Sequence, residues 1–181
     1  MKILKWFLFV IILFALLIAG YLAYLGVFNS LTVSEKVMDP YTIAAERFVG
    51  PYSKTGEVFN KVHSTLRIAG VNGTLGLGIY YDDPQTVPAD KLRSDCGEVI
   101  NPKDTVKLKI FKELKIMTIN KSRAVITEFT IKSPLSYMVG PMKAYPALVA
   151  YIQKNNLKIN SAMYEIYDMP ENKIIYVVPI K

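Results

Sequence analysis

The chain has one cysteine, one histidine and one tryptophan in 181 residues, and each scarcity removes a class of explanation. A lone Cys96 cannot close an internal disulfide, and the compartment stays open on that count. With no histidine near it in sequence, Cys96 reads as a packing residue rather than a nucleophile. His63 follows Phe59 and Glu57 at no metal-ligand spacing, so no metal site is expected and a surface helix position is. Gly70, Gly73, Gly76 and Gly78 lead into no Gly-Lys-Ser/Thr step, which excludes a phosphate loop. The formal charge is +7, yet the basic residues form no run and no recognition motif. Nucleic acid is therefore not an expected partner; mild basicity points to anionic lipid or anionic ligands.

Charge itself is missing from Trp6 to Leu31. The apolar stretch Trp6–Phe28 would reach about 33 Å as a helix, enough for a hydrocarbon layer of about 30 Å. Core helices are seldom apolar all the way round for so long, so a single membrane-spanning helix is expected. A cleavable signal is disfavoured, because the stretch is long and Leu17-Ile18-Ala19 and Tyr21-Leu22-Ala23 put a bulky residue where a small one is needed. Lys2, Lys5 and the amino terminus precede the helix, while Glu35, Lys36 and Asp39 follow it. Positive charge stays inside, which sets the N-terminus in the cytoplasm and the domain outside, in the periplasm if the source is bacterial. Ala15, Ala19 and Ala23 share one helix face and permit close pairing, so a homodimer through this helix is allowed. Residues 1–30 are thus read as the anchor, 31–40 as a linker passing into a first strand, and 41–181 as one domain with a real core.

Within that domain the periodicities alternate. Residues 41–49 are strand-like and end at Gly50-Pro51. Ser53 or Thr55 can cap a helix with Val58, Phe59, Val62 and Leu66 on one face. Leu75, Leu77, Ile79 and Tyr81 point one way from the next strand; Gly76, Gly78 and Tyr80 point the other, and the two glycines leave a depression. Asp82-Asp83-Pro84 closes it with turn chemistry. A further strand over 91–100, a short helix near 105–113 and a strand at 122–131 follow. Ser133-Pro134 signals a helix start, and Gly140-Pro141 and Pro146 predict a kink or two segments before Asn156. Strands at 163–168 and 173–180 finish the chain. The order strand–helix–strand–strand occurs twice, which predicts an α+β fold: an antiparallel sheet with the helices on one side and a ligand cleft between the halves.

Three stretches carry a resemblance to the gyrase-inhibitor-like (GyrI-like) effector-binding family: RFVGPYSKTGEVF (Arg47–Phe59), LGIYYDDPQTVPADKLRSDCGEVI (Leu77–Ile100) and YEIYDMPENKIIYVVPI (Tyr164–Ile180). IYYDDPQTVPADK and AYPALVAYIQKNNL are similar to a membrane-anchored branch that includes a testis-expressed endoplasmic-reticulum autophagy receptor. That receptor works through a long C-terminal tail and has the opposite topology. This chain ends at Lys181 after its last strand, so the domain, and not the receptor role, is expected to carry over.

The resemblance implies that Glu165, in the family's Glu-x-Tyr step, lies in an aromatic pocket and faces cationic or amphipathic ligands. Tyr167 falls on the same strand face; Tyr52, Tyr80, Tyr81 and Tyr137 are candidate walls, and Glu128 is a second carboxylate candidate. Read by alternation alone, Glu165 is a solvated residue on a sheet face rather than a pocket residue, since carboxylates are rarely buried. The expected function is a membrane-anchored small-molecule-binding protein. The alternatives are a protein-interaction scaffold with an occluded pocket and, as some relatives do, a small-ring hydrolase using Glu165 with a tyrosine as acid–base pair. No cofactor is expected. The charge asymmetry is checked by fusing alkaline phosphatase to the C-terminus in a bacterial host: the fusion should be active, and an expressed but inactive one contradicts the orientation.

Overall fold

The computed structural model describes residues 2–181 apart from the Lys2 side chain, so that part of the N-terminal charge reading lies outside the described residues. Helix α1 (Lys2–Tyr24) takes in Lys2, Lys5 and the uncharged segment as far as Tyr24, four residues short of Phe28, and Ile3–Tyr24 is long and apolar enough to cross a membrane. A turn then leads into strand β1 (Val33–Met38). Stretches of alternating apolar residues follow as β2 (Tyr41–Val49), β3 (Gly76–Tyr80) and β4 (Arg93–Val99), with helix α2 (Thr55–Ile68) after β2. Strand β5 (Lys115–Ile119) bridges to the second run: β6 (Ser122–Thr130), helix α3 (Ser136–Lys154), β7 (Met163–Asp168) and β8 (Lys173–Pro179).

All eight strands join one antiparallel sheet in the order β1-β6-β8-β7-β3-β4-β2-β5. Each repeat contributes its strands in the same spatial order, β3-β4-β2 and β7-β8-β6, and the halves meet where β3 pairs with β7. The duplication expected from the sequence is therefore real, with β1 and β5 added as outer strands. Both helices cover the same face. Val62 and Leu66 of α2 pack with Ala44, Ile100 and Leu114, while Ala144, Leu148 and Ile152 of α3 pack with Val125, Phe129, Ile174 and Tyr176. The other face curls around its own core of Ile43, Leu77, Ala124, Ile126, Tyr164, Ile166 and Val177.

Three local expectations are corrected. The short helix expected near 105–113 is a 3-10 helix and lies earlier, from Pro102 to Leu108, begun by Asn101, whose side chain accepts from the Lys103 amide at 3.0 Å. Helix α3 begins at Ser136 rather than Pro134, because the Ser136 hydroxyl accepts from the Lys132 and Ser133 amides and ties the proline turn off ahead of the helix. It then continues as one element through Pro141 and Pro146, so of the kink and the two segments expected there the second does not occur. Each interior proline costs about 3 kcal/mol in an isolated helix; burial of Gly140, Ala144, Leu148 and Ile152 on one face offsets that here.

Gly97 marks the tightest backbone approach in the sheet. A Cβ there would strike the Ala44 carbonyl and lie 2.5 Å from the Ala45 Cα, with no flexible side chain to yield. Gly56, on α2, faces open space: a methyl group added there would meet nothing within 4 Å. Gly97→Ala should destabilise the chain by about 1–3 kcal/mol through overpacking, whereas Gly56→Ala should stabilise it by about 1 kcal/mol through helix propensity. Urea unfolding of both variants in detergent checks the pair, and equal shifts contradict it.

Candidate functional site

Alternation along β7 turns Tyr164 and Ile166 into the core of the curled face and leaves Glu165 and Tyr167 on the helix-covered face. Their cross-strand partners on β3 are Gly78 and Gly76. Two missing side chains therefore open space beside Glu165, and aromatic rings occupy it. A Cβ on Gly78 would sit 3.0 Å from the Tyr80 ring, and one on Gly76 would sit 3.2 Å from the Cβ of Tyr167.

The Glu165 carboxyl is held by phenols. Tyr167 donates to Oε2 at 2.6 Å, and Tyr145, reaching in from α3, donates to Oε1. The Tyr80 and Tyr167 hydroxyls are 2.8 Å apart; since the Tyr167 proton is committed to Glu165, Tyr80 is the donor of that pair. A second tier of rings encloses the first. Tyr52 stacks edge-on to Tyr80 at 4.8 Å, Phe59 edge-on to Tyr167 at 5.2 Å, and Tyr137 lies 6.1 Å from Tyr167. Tyr52 is itself fixed by donating to the Asp82 carbonyl at 2.9 Å. Tyr176, opposite Glu165 on β8, packs edge-on to Tyr145 at 5.5 Å, and its buried hydroxyl has no partner.

Glu165 is only 5% exposed, and among the described residues no lysine, arginine or histidine pairs with it. Burial pushes its carboxyl above the ordinary range, and the hydrogen bonds from Tyr145 and Tyr167 pull it partly back. Burial first, and the neighbouring carboxylate second, hold the Tyr80, Tyr145 and Tyr167 phenols well above theirs. Those phenols are donors at any physiological pH. A carboxylate so placed is an anion with neutral hydrogen-bond partners and no counter-charge.

Of the residues singled out from the sequence, the structure gathers Glu165, Tyr167, Tyr80, Tyr52 and Tyr137. Tyr81 lies elsewhere: its hydroxyl donates to Asp95 at 2.6 Å and its ring lies under Arg47, which also pairs with Asp95 at 2.8 Å. Glu128 is exposed on the other face of β6, 3.2 Å from Lys173. Tyr145, Tyr176 and Phe59 belong to the cluster and were not singled out as site residues. Phe59 had a signal in the α2 face, and Tyr176 had one in the β8 alternation with Ile174 and Val178. His63 is exposed on α2, with Nδ1 2.8 Å from Glu98. Cys96 is buried, and burial pushes its thiol up to about 11. No group of residues suited to a metal ion occurs among the described residues. A hollow of about 380 Å³ lies away from Glu165, at the β1–β6 edge beside Leu31, Ser34 and Thr127; next to Glu165 the rings themselves take up the space.

A carboxyl raised by burial stabilises the folded state below its ordinary pKa, and that contribution is lost as pH rises through the folded value. Glutamine cannot ionise. The stability of Glu165→Gln relative to the unaltered chain should therefore improve with pH above about 4.5, at up to about 1.4 kcal/mol per pH unit. Thermal unfolding of both proteins from below the ordinary carboxyl range, at about pH 4, up to about pH 8.5 checks this; a difference that stays constant over the whole range contradicts it.

No family model matches the chain. It is 26% identical over 173 residues to the Testis-expressed protein 264 homolog of Mus musculus, covering 89% of this chain and 52% of that protein. The chain thus spans about half the length of the curated relatives it matches. The EcmrR C-terminal domain superposes with a TM-score of 0.63 at 14% identity, over 83% of this chain and 98% of that domain. SAV2435, solved bound to tetraphenylphosphonium, superposes with a TM-score of 0.54 at 13% identity, over 83% of this chain and 94% of that one. The fold that carries the tyrosine-ringed carboxyl is shared with these two proteins, whose folds are of the GyrI-like, effector-binding type.

Proposed function

We propose that this domain, tethered to a bilayer by α1 with its N-terminus in the cytoplasm, binds amphipathic organic cations at the membrane surface. The observation that carries the reading is the buried Glu165 carboxyl, donated to by Tyr145 and Tyr167 and paired with no basic side chain among the described residues. An incoming cation supplies the missing charge, and the rings of Tyr52, Tyr80, Tyr137 and Tyr167 supply cation–π and apolar contact. That SAV2435 was solved with tetraphenylphosphonium, a lipophilic cation, supports the ligand class. A membrane tether suits such ligands, which concentrate in the bilayer interface. The rings beside Glu165 must move to admit one. Their present packing favours a second reading, an interaction scaffold whose pocket is permanently filled by its own side chains.

Binding requires the ionised carboxylate, so it should tighten as pH rises through the elevated Glu165 value. Isothermal titration of the full chain in detergent with tetraphenylphosphonium should show saturable binding that Glu165→Gln weakens at least tenfold, consistent with about 1.5–3 kcal/mol for a charged contact. Equal affinity in the variant contradicts the charged site. No binding of this or any smaller aromatic cation by the folded chain favours the scaffold.

A further inference from the structure

The two helices that cover the sheet present different outer faces. Helix α2 shows solvent Glu57, Asn60, Lys61, Ser64 and Arg67, as a surface helix should. Helix α3 shows Leu135, Met138, Met142, Pro146 and Val149 at its outer positions, all exposed. Met138 and Met142 are 64% and 75% exposed, and from Pro134 to Gln153 the only charged side chain is Lys143. This apolar stripe continues directly from the anchor. At its start, Lys132 Nζ donates to the Tyr24 carbonyl at 2.6 Å and sits 5.0 Å from the Tyr24 ring. Tyr21 donates to Ser133 at 3.3 Å, and Lys143 donates to the Val27 carbonyl. Leu25 is buried beneath these contacts. The domain is thus docked on the end of α1 rather than hung from a free linker. Along α1, Trp6 and Tyr24 lie about 27 Å apart, the spacing of the two aromatic belts of a bilayer. The interface at which Tyr21 and Tyr24 sit is the level at which α3 begins.

We propose that the outer face of α3 is a second membrane contact: Leu135, Met138 and Met142 enter the interfacial layer of the same bilayer that α1 crosses, with Lys132 and Lys143 at headgroup level. A helix with a bare apolar face and flanking lysines is the form of an interface-lying segment, and an exposed apolar patch of this kind calls for a partner. The lipid surface is the partner already present at its edge. The inference rests on the anchoring part of the proposed function and not on the ligand.

The test uses the full chain in nanodiscs of phosphatidylcholine and phosphatidylglycerol. A fluorophore is placed at Phe14→Cys, Met138→Cys, Met142→Cys, Ile68→Cys or Val106→Cys in turn; Cys96 stays unlabelled because it is buried. Ile68 and Val106 are 80% and 66% exposed, matching the two methionines. Quenching by lipid-borne nitroxide should be at least twofold stronger at 138 and 142 than at 68 and 106, with the reverse order for a water-soluble quencher. If 14 is quenched from the lipid but 138 and 142 behave like 68 and 106, the anchor stands and the second contact is wrong. If 138 and 142 are shielded from both quenchers, a second copy of the chain covers the stripe and the lipid contact is again wrong. If 14 itself is unquenched by lipid, the anchoring reading fails, and this inference with it.

Discussion

An acid shut away from water with only phenols for company sets the terms for this structure. Burying a carboxylate without a counter-charge is costly, and the fold meets that cost at its seam. Glu165 lies on β7, where the two repeats join through β3. Its hydrogen bonds come from Tyr167 on its own strand and Tyr145 on α3, and Tyr80 on β3 extends the chain. One carboxyl thus ties together both halves of the sheet and one of the covering helices. The glycines opposite it are what leave room for the rings. Without that space Tyr80 and Tyr167 could not close in over β3, and the acid would lose the Tyr167 donor and part of its shelter.

Much of this was legible because period-two alternation is a strong signal wherever one face is buried. It separates Glu165 and Tyr167 from Tyr164 and Ile166, and Tyr80 from Tyr81. The same rule puts Tyr81 and Glu128 on the face away from the cluster, so grouping them with Glu165 set residue type above geometry. Tyr145 was obscured for another reason. Two prolines advertise a break in α3, whereas the helix is held continuous by packing that no local pattern reports. The late start at Ser136 has a similar origin: its hydroxyl reaches back to the Lys132 and Ser133 amides, while the Ser133 hydroxyl accepts from the Leu135 amide at 3.2 Å within the turn ahead of the helix. Position in space of α1 relative to the sheet was not readable at all, because it depends on contacts such as Lys132 with Tyr24 across a separation of 108 residues.

The duplication also shows how two copies of one plan diverge. Both repeats bury a helix against their own strands, through Val62 and Leu66 in one and Leu148 and Ile152 in the other. Only the second lies beside α1, and only the second has lost its polar outer face. The acid and both of its donors belong to that same repeat. The first repeat contributes glycines, Tyr52, Tyr80 and Phe59, which are space and walls rather than charge.

The interlocked edge-on rings around Glu165 bear on time as well as affinity. Nothing can touch the carboxyl until at least one aromatic side chain rotates out of contacts at about 5 Å with its neighbours. If the proposed cation binds there, its entry and departure would proceed at the pace of that rotation and not of diffusion. An occupant once admitted would be slow to leave, which makes the cluster better suited to holding a molecule for long intervals than to rapid exchange.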